Sequence, residues 1–490
     1  LRSDIILKNK YRAILSYCGL ILLLGGFLML LPLSGLIFWP GESHQLLGFL
    51  LPALVLAASG IWLWRRYRSP VPSPLTIQEG GVIVMIIWIV ICLLSAWPFV
   101  QNQGMSFTQA VFESVSGWTT TGLSVVDVTR ASHLLLLWRS IMQLFGGAGF
   151  AVIMLSAIAG PPGGGLSAAE GRGDQLAPHV RKSAKLVMSI YAGYAVFGFL
   201  AYLAAGMAPF DAVTHAFSAI STGGFSTRPE SLAYWNSPLI EAITIALMIL
   251  GNLNFLTAYF GLRGKIRTVL RNGEVKVFAV LSFISIFAVF FFLCIKIYPT
   301  LGKAVRVAIF EIVSALTTTG FTTTSYSNWT AIGYLILIVL MIVGGGTGST
   351  AGGIKQYRVF LLYKSLVWQI RRFFLPRTAV TEHYIWHGDD KDYVADSRIR
   401  EIANAAFLYL IVFILGTAIL AAHNYSLPDS LFEFSSALST VGLSVGITSP
   451  SAPGLVLWAE IIGMFLGRLE FLVVFVGLGK IIRDVSSLTK

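Results

Sequence analysis

Thr317-Thr318-Thr319-Gly320-Phe321-Thr322 decides the reading of this chain, because three more segments follow its pattern. They are Thr119-Thr120-Thr121-Gly122-Leu123-Ser124, Ser221-Thr222-Gly223-Gly224-Phe225-Ser226 and Ser439-Thr440-Val441-Gly442-Leu443-Ser444. Each is a hydroxyl-rich run ending in glycine, then an apolar residue, then Ser or Thr. Six residues before each apex glycine stands a serine: Ser116, Ser218, Ser314 and Ser436. Nine residues before it stands an acid in three copies (Glu113, Glu311, Glu433) and His215 in the second. Matching glycines lie about 100 residues apart, room for a two-span unit. Agreement at several offsets sets aside four chance turns.

Working outward, long apolar stretches flank every copy. The 490 residues are 56% hydrophobic and 12% charged, with mean hydropathy +0.76. Soluble domains carry about 25% charged residues. Apolar segments recur at 13–38, 46–64, 80–100, 132–158, 184–207, 236–262, 277–298, 331–364, 401–423 and 454–480, so the chain reads as a polytopic helical membrane protein. The first is too long for a signal-peptide core and lacks a small-residue cleavage site. Cys18, Cys92 and Cys294 are isolated in apolar runs and read as packing residues.

The net charge of +12 would suit nucleic acid, but its distribution argues for topology instead. Basic clusters at Arg65-Arg66-Tyr67-Arg68, at Arg181, Lys182 and Lys185, at 263–271, at 355–377 and at 480–490 follow every second apolar segment. The N-terminus is basic too. The positive-inside rule then places both termini in the cytoplasm and opens all four glycine loops to the outside.

A short, mostly apolar stretch precedes each loop, at 107–118, 209–220, 302–316 and 427–438. About ten helical residues rise about 15 Å, half the hydrocarbon core. Irregular backbone at that depth must be buried in protein or line water. The expected fold is an all-α integral membrane protein. Four pseudo-symmetric span–pore-helix–filter-loop–span units (71–172, 173–270, 271–378, 379–490) follow two leading transmembrane helices (1–70), about ten spans in all.

Glycine at each apex permits positive φ and lets carbonyls converge on one axis. The expected filter is Thr119, Thr120, Thr121 and Gly122; Ser221, Thr222, Gly223 and Gly224; Thr317, Thr318, Thr319 and Gly320; Ser439, Thr440, Val441 and Gly442. The ion ligands are Thr120, Thr121, Thr222, Gly223, Thr318, Thr319, Thr440 and Val441. Carbonyl rings replace the hydration shell of a potassium-sized ion. The pore helices aim their partly negative C-terminal ends inward, which favours a cation. No carboxylate lies inside the loops, which argues against a divalent-cation filter. Glu113, Glu311 and Glu433 either enrich cations at the mouth or orient the pore helices.

The eighth apolar segment holds Gly344-Gly345-Gly346-Thr347-Gly348-Ser349-Thr350-Ala351-Gly352-Gly353, a run that cannot continue as helix in lipid. It reads as a movable gate below the filter; a passive kink and a packing surface are the alternatives. Phosphate cradling is excluded because no Gly-Lys-Ser/Thr follows. Arg468 and Glu470 lie inside the last segment, where charges face protein or water. Arg468 either projects below the filter or pairs with Glu470 or a backbone carbonyl. Lys355 either holds the gate closed or snorkels. His383 and His387, with Asp389 and Asp390, read as a solvated loop rather than a metal site. The glycine-rich stretch 160–165 through Lys185 reads as a linker or a docking segment.

These features together resemble the Trk/Ktr/HKT superfamily of potassium transporters. The resemblance rests on the four filter units, the interrupted third inner helix and Gly467-Arg468-Leu469, and it covers essentially the whole chain. The two leading spans favour the bacterial Trk branch, whose members are membrane subunits of potassium-uptake systems. Glycine at all four apices implies potassium permeation, with rubidium as a congener, because sodium-preferring plant relatives carry Ser at the first. His215 and Val441 depart from the pattern and break exact fourfold symmetry. The resemblance further implies a bacterial inner-membrane homodimer in lipid, with a cytosolic ring of nucleotide-binding regulatory subunits. This chain has no dinucleotide fingerprint of its own. It offers no nucleophile, metal cluster or acid pair, so no enzyme is expected, and no organic cofactor. A proton- or sodium-coupled symporter on the same fold is the alternative to a pure pore.

Overall fold

The computed structural model describes residues 2–68, 76–149, 180–376, 381–387, 390–469 and 471–488. Helices α1 (Arg2–Leu30) and α2 (Leu46–Tyr67) pack as an antiparallel pair. Small residues let them touch backbone to backbone: a Cβ added at Gly19 would lie 2.7 Å from the Gly60 carbonyl oxygen, and the converse distance is the same. Next come α3 (Ile77–Ser95), α4 (Trp97–Gln103), α5 (Phe107–Trp118) and α6 (His133–Ala148). They are followed by α7 (Val180–Ala204), α8 (Pro209–Ile220), α9 (Pro238–Asn252), α10 (Phe255–Leu262) and α11 (Ile266–Arg271). Helix α12 (Gly273–Val289) runs through a π-turn at Phe290–Cys294 to Ile297. The chain continues as α13 (Leu301–Leu316), α14 (Ala331–Val343) and α15 (Gln356–Phe373), and then strands β1 (Tyr384–His387) and β2 (Asp390–Tyr393). It closes with α16 (Asp396–Ala421), α17 (Leu427–Leu438), α18 (Gly454–Leu469) and α19 (Phe471–Leu488).

Six helical stretches among the described residues are long and apolar enough to cross a membrane, or up to eight if each of two bent pairs counts as one span. Three expected segments therefore change form. The sixth bends by 115° between α9 and α10. Its cause is local: Asn254 leaves the helical conformation and its Oδ1 caps α10 at the Leu256 amide (2.8 Å). Carbonyls at the end of α9 are thereby released for other partners. The eighth splits into α14 and α15 around the glycine run, as a helix-breaking composition requires. In the tenth, Gly454–Leu469 and Val473–Asp484 lie 97° apart. Of the fourth, 150–158 lies outside the described residues, as does the stretch 160–165.

The all-α expectation needs one amendment. Residues 384–387 and 390–393 form an antiparallel strand pair in which Tyr384 pairs with Tyr393 and Trp386 with Lys391. The solvated-loop reading of His383 and His387 gives way here. Ile385 is buried in a small cluster with Leu361, Val394 and Ile402, and the His383 ring stacks on Trp368 with centroids 4.7 Å apart. The aromatic and β-branched residues Tyr384, Ile385 and Trp386 favour a strand. Asp389 lies outside the described residues.

The innermost elements are the short helices α5, α8, α13 and α17. Every residue from 110 to 118 is buried, and so is every residue from 432 to 438. Longer apolar helices surround them.

Candidate functional site

Each short helix ends in the same turn. The residue two before the apex adopts left-handed backbone in all four copies: Thr120 (φ 56°), Thr222 (51°), Thr318 (54°) and Thr440 (52°). The apices follow at Gly122 (91°), Gly224 (73°), Gly320 (81°) and Gly442 (100°). Glycine adopts such angles freely, but a β-branched threonine there stores about 1–3 kcal/mol of strain. Amides just before the apex hold the turn by donating to the serine carbonyls: Thr121 to Ser116 (2.9 Å), Gly223 to Ser218 (2.8 Å), Thr319 to Ser314 (2.9 Å) and Val441 to Ser436 (2.9 Å). Positive φ was expected of glycine alone. The threonine at the same offset in every copy was the available signal for the second strained position.

The four turns meet. A Cβ added at Gly122 would lie 2.2 Å from the Gly223 carbonyl oxygen, and one at Gly224 would lie 2.2 Å from that of Thr319. At Gly320 it would lie 2.0 Å from the Val441 oxygen, and at Gly442 it would lie 2.2 Å from that of Thr121. The loops thus close into a ring in chain order, each apex glycine seated against the carbonyl before the next apex. Thr121, Gly223, Thr319 and Val441 supply that layer of carbonyls. One residue earlier stand the four strained threonines. The buried hydroxyls of Thr120 and Thr440 have no hydrogen-bond partner among the described residues, whereas Thr222 and Thr318 bond to the glycine run, at Thr350 Oγ1 (3.1 Å) and the Gly352 amide (2.7 Å).

The acids nine residues before the apex brace the returning strands. Glu113 accepts from the Ser124 hydroxyl (3.0 Å) and the Val125 amide (3.0 Å). Glu311 accepts from the Thr323 amide (2.8 Å) and the Tyr326 hydroxyl (2.5 Å), and Glu433 from the Ser444 hydroxyl (2.6 Å) and the Val445 amide (2.9 Å). His215 makes the equivalent contact with Ser226 Oγ (3.0 Å). All four are fully buried, so the orienting role holds and enrichment of cations at an open mouth does not.

Two residues of α6 escaped sequence reasoning. Arg139 pairs with Glu113 (2.7 Å), donates to the Ser226 carbonyl (3.1 Å) and lies 3.9 Å over the Phe225 ring, locking the first loop to the second. Gln143 Nε2 donates to the Gly223 carbonyl (2.6 Å). A charge and an amide inside an apolar segment were the signals. Removing one member of a buried pair strands the other, so Glu113→Ala is expected to destabilise the protein by about 3–5 kcal/mol. Thermal melts in detergent check this, and Arg139→Ala added to Glu113→Ala should cost less than the sum of the two single changes. At the rim, the hydrogen bond that Arg228 donates to the Asp211 carboxylate (2.9 Å) raises the Arg228 pKa above its ordinary value.

The glycine run folds back beneath the ring. Gly344 turns at φ 68°, the Gly345 amide donates to Gly352 O (3.1 Å), and Lys355 N returns to Val343 O (3.0 Å). The bend in the sixth segment explains what holds it. Released carbonyls of Gly251 and Asn252 accept from Thr350 Oγ1 (2.9 Å) and the Gly346 amide (3.3 Å), and Glu274 accepts from the Thr347 amide (2.7 Å). Lys355 Nζ bonds the Ala351 carbonyl, so it braces the run rather than snorkelling. Ser349 closes a local turn onto Gly346 O (2.6 Å), and Gly348 and Gly353 supply further positive φ. Arg468 donates to Thr350 O (2.7 Å), Gly146 O (2.7 Å) and Gly147 O (3.2 Å), tying the run to α6. Of its alternatives, the backbone-carbonyl contact is present beneath the ring; Glu470 lies outside the described residues.

A ring of buried loops inside apolar helices, with a polar loop wedged below, defines a multi-pass helical membrane protein of the transporter type. The chain belongs to the TrkH family of cation transport proteins, whose profile matches residues 53–484. Its fold is similar to the crystal structure of the potassium transporter TrkH from Vibrio parahaemolyticus, with TM-score 0.81 and 28% identity, covering 96% of this chain and 98% of that one. The Trk system potassium uptake protein TrkH of Salmonella typhimurium is 30% identical over 479 residues, 94% of this chain and 96% of that protein. An uncharacterized cation transporter of Methanocaldococcus jannaschii is 30% identical over 474 residues, 96% of this chain and 95% of its own.

Proposed function

We propose that this chain is the ion-conducting subunit of a gated potassium-uptake system, with rubidium as a permitted congener. The observation that carries the reading is the closed ring, in which each apex glycine abuts the carbonyl of Gly223, Thr319, Val441 or Thr121. Buried carbonyls converging from four loops can replace the hydration shell of a monovalent cation, and fixed geometry disfavours a smaller one. The ion would meet the carbonyls of Thr121, Gly223, Thr319 and Val441 and, one step inward, Thr120, Thr222, Thr318 and Thr440. Four pseudo-symmetric units, two leading spans and cytoplasmic termini in a bacterial inner membrane complete the proposal. The run 344–353, braced by Lys355 and Arg468, is its gate. Membrane potential would drive uptake, at about 2.3 kcal/mol per charge per 100 mV. A second copy of the chain and a cytosolic nucleotide-binding partner would complete the assembly.

Cation flux into proteoliposomes tests the reading. Potassium and rubidium uptake should exceed sodium uptake, with a reversal potential that follows the potassium gradient alone. Equal permeability to sodium would sink the filter assignment. A reversal potential that moves with pH or sodium at fixed potassium would replace the pore by a coupled symporter.

A further inference from the structure

The second loop is built differently from the other three. In the first, Ser116 Oγ accepts from the Gly122 amide (3.1 Å) and donates to Leu123 O (2.5 Å). In the third, Ser314 Oγ donates to Phe321 O (2.7 Å), and in the fourth Ser436 Oγ accepts from the Gly442 amide (3.0 Å). The matching hydroxyl of the second, Ser218, is buried and has no hydrogen-bond partner among the described residues. A side chain of α6 holds this loop instead, through different backbone groups. Gln143, fully buried on α6, accepts from the Phe225 amide through Oε1 (3.2 Å) and donates to the Gly223 carbonyl through Nε2 (2.6 Å). An amide N–H only donates, so Phe225 fixes which end of Gln143 faces it and leaves the NH₂ for the carbonyl. One side chain thus grips both flanks of the Gly224 apex.

The same contact explains an anomaly of sequence. The residue before the apex is Thr121, Val441 or Thr319 in the other loops but Gly223 here. A Cβ at Gly223 would lie 2.4 Å from Gln143 Cδ, so the missing side chain is the space that Gln143 occupies. Thr121 and Thr319 instead set their hydroxyls 2.8 Å from those of Thr119 and Thr317.

We propose that Gln143 is a positioning residue for ion selectivity: through its hydrogen bond it sets the place and field strength of the Gly223 carbonyl in the ring. The inference rests on the filter reading above. Selectivity depends on ring size and on the field of each carbonyl. A donated N–H draws density from one carbonyl of the four and holds it away from collapse onto a smaller ion.

The test is biionic reversal potentials in proteoliposomes of the full-length protein. Gln143→Met keeps the volume and removes both hydrogen bonds. It should raise sodium permeability relative to potassium about fivefold, the scale of one hydrogen bond, while the detergent melt shows the fold intact. Gln143→Ala combined with Gly223→Thr rebuilds the arrangement of the first and third loops. It should return the ratio to within about twofold of wild type, a rescue that a purely structural role of Gln143 does not produce. An unchanged ratio in folded Gln143→Met overturns the inference, as does failure of the folded double variant to restore selectivity. If Gln143→Met does not fold, the double variant alone decides. Gly320→Ser run alongside separates the two levels: if it too leaves selectivity unchanged, the filter reading fails, and if it alone alters selectivity, only the role of Gln143 does.

Discussion

Gly320→Ser is expected to lower potassium-over-sodium discrimination by at least about tenfold. The residue sits at φ 81°, and an added Cβ would lie 2.0 Å from Val441 O and 2.9 Å from Gly442 Cα. Those are backbone atoms of the next loop, with no flexible side chain to swing aside. An L-residue in left-handed backbone costs about 1–2 kcal/mol before any clash, and 1.4 kcal/mol is already a factor of ten. Relief therefore comes by displacing the Val441 carbonyl, and the ring opens on that side. Biionic reversal potentials read the change directly. Because the ring closes in chain order, substitutions at Gly122, Gly224 and Gly442, each 2.2 Å from a carbonyl oxygen, should act alike. A folded Gly320→Ser protein with wild-type selectivity would falsify the assignment of this ring as the filter.

Much of this site could be read from spacing alone, because internal repetition reports shared geometry without any alignment. The serine and acid offsets marked positions that hold each turn, as in the bonds Thr121–Ser116 and Glu433–Val445, without showing which groups would bond. Glycine apices anticipated positive φ. Three things stayed hidden, each for a physical reason. Threonine is intrinsically poor at left-handed backbone, so propensity argued against Thr120 and its counterparts, and tertiary contacts overrode it. The 115° bend in the sixth segment turns on one Asn cap in an otherwise continuous apolar run, too weak a signal for periodicity. Contacts between α6 and the second loop, such as Arg139 with Ser226 or Gln143 with Gly223, join residues some 80 positions apart and leave no local pattern. The strand pair 384–387 and 390–393 was missed because each strand is only four residues long and the second is mostly charged.

Deleting residues 347–350 should produce the largest gain of function. The Gly345 amide and Gly352 O close the base of the run (3.1 Å), so the residues that remain can span it as a tight turn. What the deletion removes is the seat. Thr350 donates to Gly251 O through its amide (3.3 Å) and its hydroxyl (2.9 Å), accepts from Arg468 (2.7 Å), and reaches Thr222 Oγ1 (3.1 Å). At about 1 kcal/mol net per hydrogen bond, the two bonds to Gly251 and the one from Arg468 together bias the run toward its seated position by about a hundredfold. Potassium flux in the absence of any partner or ligand should therefore rise about tenfold to a hundredfold. Arg468→Ala should move flux in the same direction and by less, since it frees Thr350 from α6 but leaves Gly251 and Asn252 in place. Neither change touches the apex glycines, so the potassium-over-sodium ratio should stay at its wild-type value while conductance climbs. Unaltered or reduced flux from a deletion variant that elutes and melts like wild type would remove the gate assignment. Raised flux with lost selectivity would instead mean that the run props the filter from below and does not open apart from it.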